Sequence, residues 1–255
     1  MTPCKNERIP IMNETSSERQ ERTRLLVGDS GIEILRSAHV LVLGVGGVGA
    51  YAAEHLARAG IGRLTLVDGD TVEPSNCNRQ LPALTSTLGR PKAEVMAERL
   101  REINPELTVE PRVEFIEPEG VGALLDTGFD YVVDAIDSLA SKTAFLLECR
   151  RRKIPLVSSM GAGGKTDPEQ IRVADISKSY GCALARAVRA RLKERGVERG
   201  VKVVFSPEAV PKSAVQTVTA PDGRKRACVG TVSYMPAAFG GFCASVVLRN
   251  LLASR

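Results

Sequence analysis

A chain of 255 residues, 43% hydrophobic and 25% charged, is long enough to bury a full core and has the composition of a folded globular protein, which excludes a fibrous or wholly disordered chain. Its net charge of +5 permits a polyanionic partner without requiring one. The six cysteines are scattered, with no C-x-x-C pair and no apolar leader ahead of them, so a four-cysteine zinc knuckle is excluded and a reduced, cytoplasmic setting is expected.

Residues 1–22 are polar, without a periodic apolar face, and read as a disordered arm ahead of one α/β domain over 23–255. Within it, a nucleotide-binding part is expected over about 36–165 and a substrate or dimer part over about 166–255. Arg24 stands where the arm gives way to structure, and Ile32, Ile34 and Leu35 predict a short helix. Residues 40–43, VLVL, are too few for a helix and read as a strand buried on both faces. Gly44, Gly46 and Gly49 then fill the places of G-x-G-x-x-G, and Ala52, Ala53, Leu56 and Ala57 continue at helical spacing to a stop at Gly60. The glycines permit a tight turn, a close approach of backbone to phosphate, and helix–strand packing, with the N–H groups of the helix start facing an anion. Residues 64–67 form the next strand, and Asp68 ends it where such folds place a carboxylate on a ribose hydroxyl. A merely tight turn is the bland alternative; the acid after the second strand weighs against it.

Residues 69–89 are too many for an ordinary strand-to-helix link and carry Asn76, Asn78, Arg79 and Gln80, side chains of the type that coordinate phosphate. A helix follows on Ala93, Met96, Ala97, Leu100 and Ile103, with Pro91 at its start. Lys92 lies in that first turn, where a cation opposes the helix dipole unless an anion sits in front of it. It therefore points at the same phosphate as the glycine turn.

Residues 109–115 read as a third strand, 118–125 as a short helix, and 131–136 as a fourth strand running into DAIDS. Ligands gather at the carboxyl ends of the strands in open α/β sheets. Asp137 is thus placed either to hold a magnesium ion bridging phosphates or to cap the helix that begins near Lys142, whereas Asp134 is supporting or structural. A helix through Cys149 ends in the basic run 150–153, residues 155–160 are a fifth strand, and GAGGK at 161–165 reads as a turn or a close backbone approach. Residues 171–176 and 201–205 read as further strands around a basic helix over 184–192, near whose start Cys182 lies. Residues 206–233 read as a long irregular flap or partner-binding loop. The apolar run 234–248 is short of the ~20 residues needed to span a bilayer and contains Gly240 and Gly241, so a buried or dimer-facing helix is expected and membrane association is not.

Gly44-Val45-Gly46-Gly47-Val48-Gly49, Asp68-Gly69-Asp70, Ser75-Asn76-Cys77-Asn78-Arg79-Gln80, Gly89-Arg90-Pro91-Lys92, Ile103-Asn104-Pro105 and the D-A-I-D of 134–137 follow one another in the order and spacing of a known set. Over 24–164 the chain resembles the superfamily of ubiquitin-activating-like adenylating enzymes, of the ThiF and MoeB type. The resemblance implies a Rossmann-like α/β sheet with helices on both faces and an elaborated C-terminal part. It implies binding of ATP and Mg2+, and transfer of AMP onto a carboxylate as pyrophosphate leaves. By the same resemblance, the glycine turn with Gly44, Gly46, Gly47 and Gly49 would bind the nucleotide together with Asp70, and Asp68 would hold its ribose. Asn76, Arg79 and Lys92 would neutralise phosphates, Asp137 would position the metal, and Arg24 would reach into the partner site of a homodimer.

Residues 22–28, RTRLLVG, with GAGGK and the VFSPE of 204–208, resemble the branch of this superfamily that dehydrates threonylcarbamoyladenosine in tRNA. The implied reaction adenylates the threonyl carboxylate and closes a ring by internal attack, which needs no enzyme thiol. Such enzymes can work beside a cysteine desulfurase and its sulfur acceptor. Activation of a ubiquitin-like sulfur carrier shares the ATP residues but usually brings a zinc knuckle. A nicotinamide dehydrogenase would have no use for the phosphate cations, and a non-enzymatic RNA-binding module would have none for the nucleotide site. The basic clusters at 150–153, 186–202 and 224–226 are candidates for a tRNA backbone footprint. With six or more phosphates contacted, tRNA affinity falls about a thousandfold or more between about 50 and 200 mM salt in a filter-binding titration; an affinity that barely changes contradicts the footprint.

Overall fold

The computed structural model describes residues 16–219 and 225–253. One sheet runs in the order β3-β2-β1-β4-β5-β7-β6. Its strands β1 (His39–Leu43), β2 (Arg63–Val67), β3 (Thr108–Arg112), β4 (Tyr131–Asp134), β5 (Leu156–Ser159) and β7 (Lys202–Phe205) are parallel, and β6 (Arg172–Asp175) is an antiparallel edge. The apolar run of β1 divides its side chains between two cores. Val40 and Val42 face one side with Leu56, Leu64, Met96 and Phe239, while Leu41 and Leu43 face the other with Phe145, Val188 and Phe205. The first side is covered by α2 (Glu21–Ser37), α3 (Gly49–Ala59), α4 (Lys92–Ile103) and α8 (Tyr234–Ala253), the second by α5 (Val121–Leu125), α6 (Leu139–Arg152) and α7 (Ala183–Glu194). Leu43 stands level with both Val67 and Asp134, so β1, β2 and β4 end flush and their following loops meet at the point where strand order reverses.

Several expectations change. Residues 16–22, read as part of a disordered arm, are helical: α1 (Ser16–Arg19) leads into α2, while the arm over 1–15 lies outside the described residues. Two of their polar side chains, Arg19 and Gln20, have tertiary partners that no apolar periodicity announces. The Gln20 amide lies over Gly60, where a Cβ would come within 2.2 Å, and Arg19 Nη1 donates to the Ile103 carbonyl at 3.4 Å. The short helix at Ile32 is the second half of a 17-residue α2, broken at Gly28 with φ 74°. The third strand stops at Arg112, level with Val67 where its neighbour β2 ends, and beyond it the Phe115 ring lies over Gly69, where a Cβ would come within 2.6 Å of it. The fourth strand stops at Asp134, and the segment read as irregular contains a hairpin, β8 (Val215–Thr219) with β9 (Lys225–Val229).

Helix α8 is long and apolar enough to cross a membrane by length and composition, but half of that stretch is buried in the fold. Met235, Phe239, Cys243 and Val247 recur at four-residue spacing on its buried face. At Gly240 the helix runs so close to α3 that a Cβ would lie 2.6 Å from the Val48 carbonyl oxygen and 2.7 Å from Tyr51 Cβ. Residue 165 is therefore no packing boundary, since the C-terminal helix completes the core of the nucleotide-binding part. Gly240→Val is expected to cost about 1–3 kcal/mol by overpacking, read as a lower urea midpoint; an unchanged midpoint contradicts the contact.

Candidate functional site

The chain leaves β1 through Gly44, whose φ of 86° suits glycine and whose Cβ would lie 3.0 Å from the Ala135 carbonyl. Gly49 opens α3 where a Cβ would sit 1.8 Å from the Gly44 oxygen. Gly47 backs onto Pro236 of α8, and a Cβ on Gly46 would lie 3.6 Å from the Gln80 amide. No side chain caps the N-terminus of α3 among the described residues, and apart from the Ala50 N–H, which donates to the Gly46 carbonyl at 3.3 Å, its first turn is open to an anion. Gln80 Oε1 is buried beside Gly46 with no hydrogen-bond partner among the described residues.

Asp68 fixes this turn. Its Oδ2 accepts from the Val45 N–H at 2.7 Å and its Oδ1 from the Asp70 N–H at 2.9 Å. Burial raises the pKa of this carboxyl, against the pull of the two N–H donors and of Lys92. Lys92 is buried and its Nζ donates to Asp70 Oδ2 at 2.9 Å. The anion in front of the α4 lysine is thus already supplied by the half-exposed Asp70, a pairing that the spacing of residues 70 and 92 does not reveal.

Between them, Asn76 is buried and spends its amide on its own turn, accepting from the Glu73 N–H at 3.1 Å and donating to Ser75 Oγ at 3.3 Å. It shapes the loop that presents Arg79. Arg79 Nη1 donates to the Ser75 carbonyl at 2.9 Å and to Asn78 Oδ1 at 2.8 Å. Asp137 is exposed just beyond β4, without a hydrogen bond or ion pair among the described residues. It does not cap α6, whose N-cap position is Ser138. Arg24 lies on α2, paired with Asp29 at 3.2 Å, its Nε buried and unpartnered among the described residues.

Asp134, read as supporting or structural, stands behind Asp137, and sequence reading missed the partners that hold it there. Asp134 and Lys142 are fully buried and joined at 2.6 Å. Ser158 Oγ donates to Asp134 at 2.5 Å, and Lys142 Nζ also donates to Ser158 Oγ and to the Ser159 carbonyl at 3.2 and 3.1 Å. Asp134 Oδ1 accepts from the Ile136 N–H at 3.3 Å, which fixes the first residues of the loop carrying Asp137. An acid inside a buried strand requires such a partner, and that requirement is the available signal.

GAGGK proves to be a close backbone approach. Gly164, at φ 71°, has Val210 where a Cβ would stand, and its N–H donates to the Gly230 carbonyl at 2.7 Å. Cys182 is buried at the N-cap position of α7. Of the basic clusters, Arg151 and Arg152 are paired with Glu148, Arg189 is held by Ser179, and Arg224 lies outside the described residues. Arg186, Arg191 and Arg195 are exposed without ion pairs among the described residues. Lys142→Met, which strands the Asp134 carboxylate, is expected to cost about 3–5 kcal/mol in urea unfolding, and pairing it with Asp134→Leu to restore most of that; a single variant of unchanged stability contradicts the buried pair.

The ThiF family matches residues 18–254. A Bacillus subtilis tRNA threonylcarbamoyladenosine dehydratase is 48% identical over 188 residues, 74% of each chain. The Escherichia coli tRNA threonylcarbamoyladenosine dehydratase is 41% identical over 95% of this chain and 97% of its own. Its crystal structure in complex with ATP superposes with a TM-score of 0.83 over 93% of this chain and 95% of that one. A molybdopterin-synthase adenylyltransferase of Salmonella typhimurium shares 38% identity over 50% of this chain and 51% of its own. The glycine turn, the acids beside it and these likenesses together place the chain in the ThiF family, in its group of tRNA threonylcarbamoyladenosine dehydratases.

Proposed function

We infer that the chain uses ATP to dehydrate threonylcarbamoyladenosine in tRNA. The observation that carries the reading is an uncapped helix start behind a glycine turn, with Arg79 supplied by the loop after β2 and Lys92 by the start of α4. ATP fits this place: open N–H groups donate to phosphate oxygens, and the buried Gln80 Oε1, without a partner among the described residues, calls for a donor of the kind a ribose hydroxyl supplies. The threonyl carboxylate attacks the α-phosphorus and the bond to pyrophosphate breaks. The carbamoyl group then attacks the activated carbonyl, a proton is lost, and the oxygen that formally leaves as water departs in AMP. Lys92 and Arg79 stabilise the charge building on the leaving pyrophosphate, and Asp68 holds the ribose side of the nucleotide.

Among the described residues there is no cluster of three acidic, histidine or cysteine side chains that would form a metal cage. Mg2+ carried by the phosphates needs only a carboxylate or two, and Asp137, exposed and without an ion pair among the described residues, suits that task. The metal would neutralise phosphate charge. Arg24, whose Nε has no partner among the described residues, and the exposed Leu25 and Leu26 beside it support a homodimer in which it enters the second copy's site. The exposed arginines of α7 support contact with the tRNA backbone. A cytoplasmic location suits a tRNA-modifying enzyme, and a sulfur-transfer partner rests on the resemblance alone. Activation of a sulfur carrier is the second reading, favoured only by the shared nucleotide residues.

Incubation with ATP, Mg2+ and tRNA bearing the modification is expected to yield a nucleoside lighter by one water on mass spectrometry, and Lys92→Ala to slow this about a hundredfold or more. An unchanged nucleoside with the unsubstituted protein contradicts the assignment.

A further inference from the structure

Residues 74–80 do not stand alone beside the glycine turn. Asn78 Nδ2 donates to the Thr231 carbonyl at 3.0 Å, across 153 positions of sequence, while its Oδ1 receives Arg79 Nη1 at 2.8 Å. Thr231 lies between β9 and α8, in a segment pinned from both sides. The Gly230 carbonyl accepts from the Gly164 N–H at 2.7 Å, the Gly230 N–H donates to the Ala214 carbonyl at 2.8 Å, and Pro236 abuts Gly47. A carbonyl accepts only, so Thr231 dictates which end of the Asn78 amide faces it and turns the oxygen toward Arg79.

We propose that Asn78 is a positioning residue for Arg79, using the Thr231 carbonyl as its fixed point to hold the guanidinium in a phosphate-ready orientation. A guanidinium has two bidentate edges. Fastening Nη1 to Ser75 and Asn78 uses up the end-on edge and leaves Nε and Nη2, which have no hydrogen bond among the described residues, as a side-on fork for two phosphate oxygens. Both holding groups are neutral, so the arginine keeps its full charge for the ligand. The same contact registers the phosphate loop against the β9–α8 link, which places the hairpin and the nucleotide in one mechanical unit.

The proposal rests on the reading of Arg79 as a phosphate ligand, and a double-mutant cycle separates the two. Calorimetry on the full chain with Mg2+ compares ATP with adenosine, which has no phosphate, for the unsubstituted protein, Asn78→Ala, Arg79→Ala and the double variant. Asn78→Ala is expected to weaken ATP about tenfold and leave adenosine and the thermal midpoint unchanged, and the double variant to bind ATP no more weakly than Arg79→Ala. Equal losses for ATP and adenosine, additive losses in the double variant, or no loss in Asn78→Ala while Arg79→Ala loses affinity, each overturn the positioning role. Arg79→Ala without loss of ATP affinity overturns the phosphate reading itself, and the inference with it.

Discussion

The structure depends on how tightly the chain closes between Gly44 and Gly49. With only 1.8 Å between the Gly44 oxygen and the place of a Cβ on residue 49, α3 begins almost on top of β1. The neighbours are built to match. Asp68 holds the Val45 N–H, the Ala135 carbonyl fills the space behind Gly44, and α8 brings Pro236 and Gly240 against the turn and the helix that follows. A helix start with free N–H groups stays at the crest of the sheet because these contacts leave it no other course.

Charge around that crest is arranged unevenly. Lys142 and Asp134 neutralise each other in the interior and act through the backbone of the loop ahead of Asp137. Lys92 is partly offset by Asp70, which keeps a buried ammonium paired before any ligand arrives. Among the described residues Arg79 is held only by neutral oxygens, which leave its charge undiminished. A site of this kind favours a polyphosphate leaving with growing negative charge, and it asks little covalent work of the protein.

The sequence was most readable where a local rule is strong. The strands β1 and β2, the glycine turn, the stop of α3 at Gly60 and the basic α7 follow from apolar runs, glycines and helical spacing. What was not readable depends on partners distant in sequence. The helical residues 16–22 are polar and are explained by Gln20 on Gly60 and Arg19 on Ile103. Asn76, expected at the phosphates, and Asn78, a side chain of the type that coordinates them, also make contacts that no spacing announces, with their own loop and with Thr231. Lys92 raised the right question, an anion before a helix start, but part of the answer is Asp70 on the same chain. Lys142 gave no signal of its own, since a lysine in a helix ordinarily faces water, and only the buried acid eight residues earlier demanded it.

The most direct test of the account is pyrophosphate release from ATP with three acceptors: tRNA carrying the threonylcarbamoyl group, tRNA without it, and a small carrier protein ending in Gly-Gly. Release that requires the modified tRNA is the predicted result. Release driven by the carrier alone, or by no acceptor, would contradict the assignment of this site to a carboxylate on tRNA.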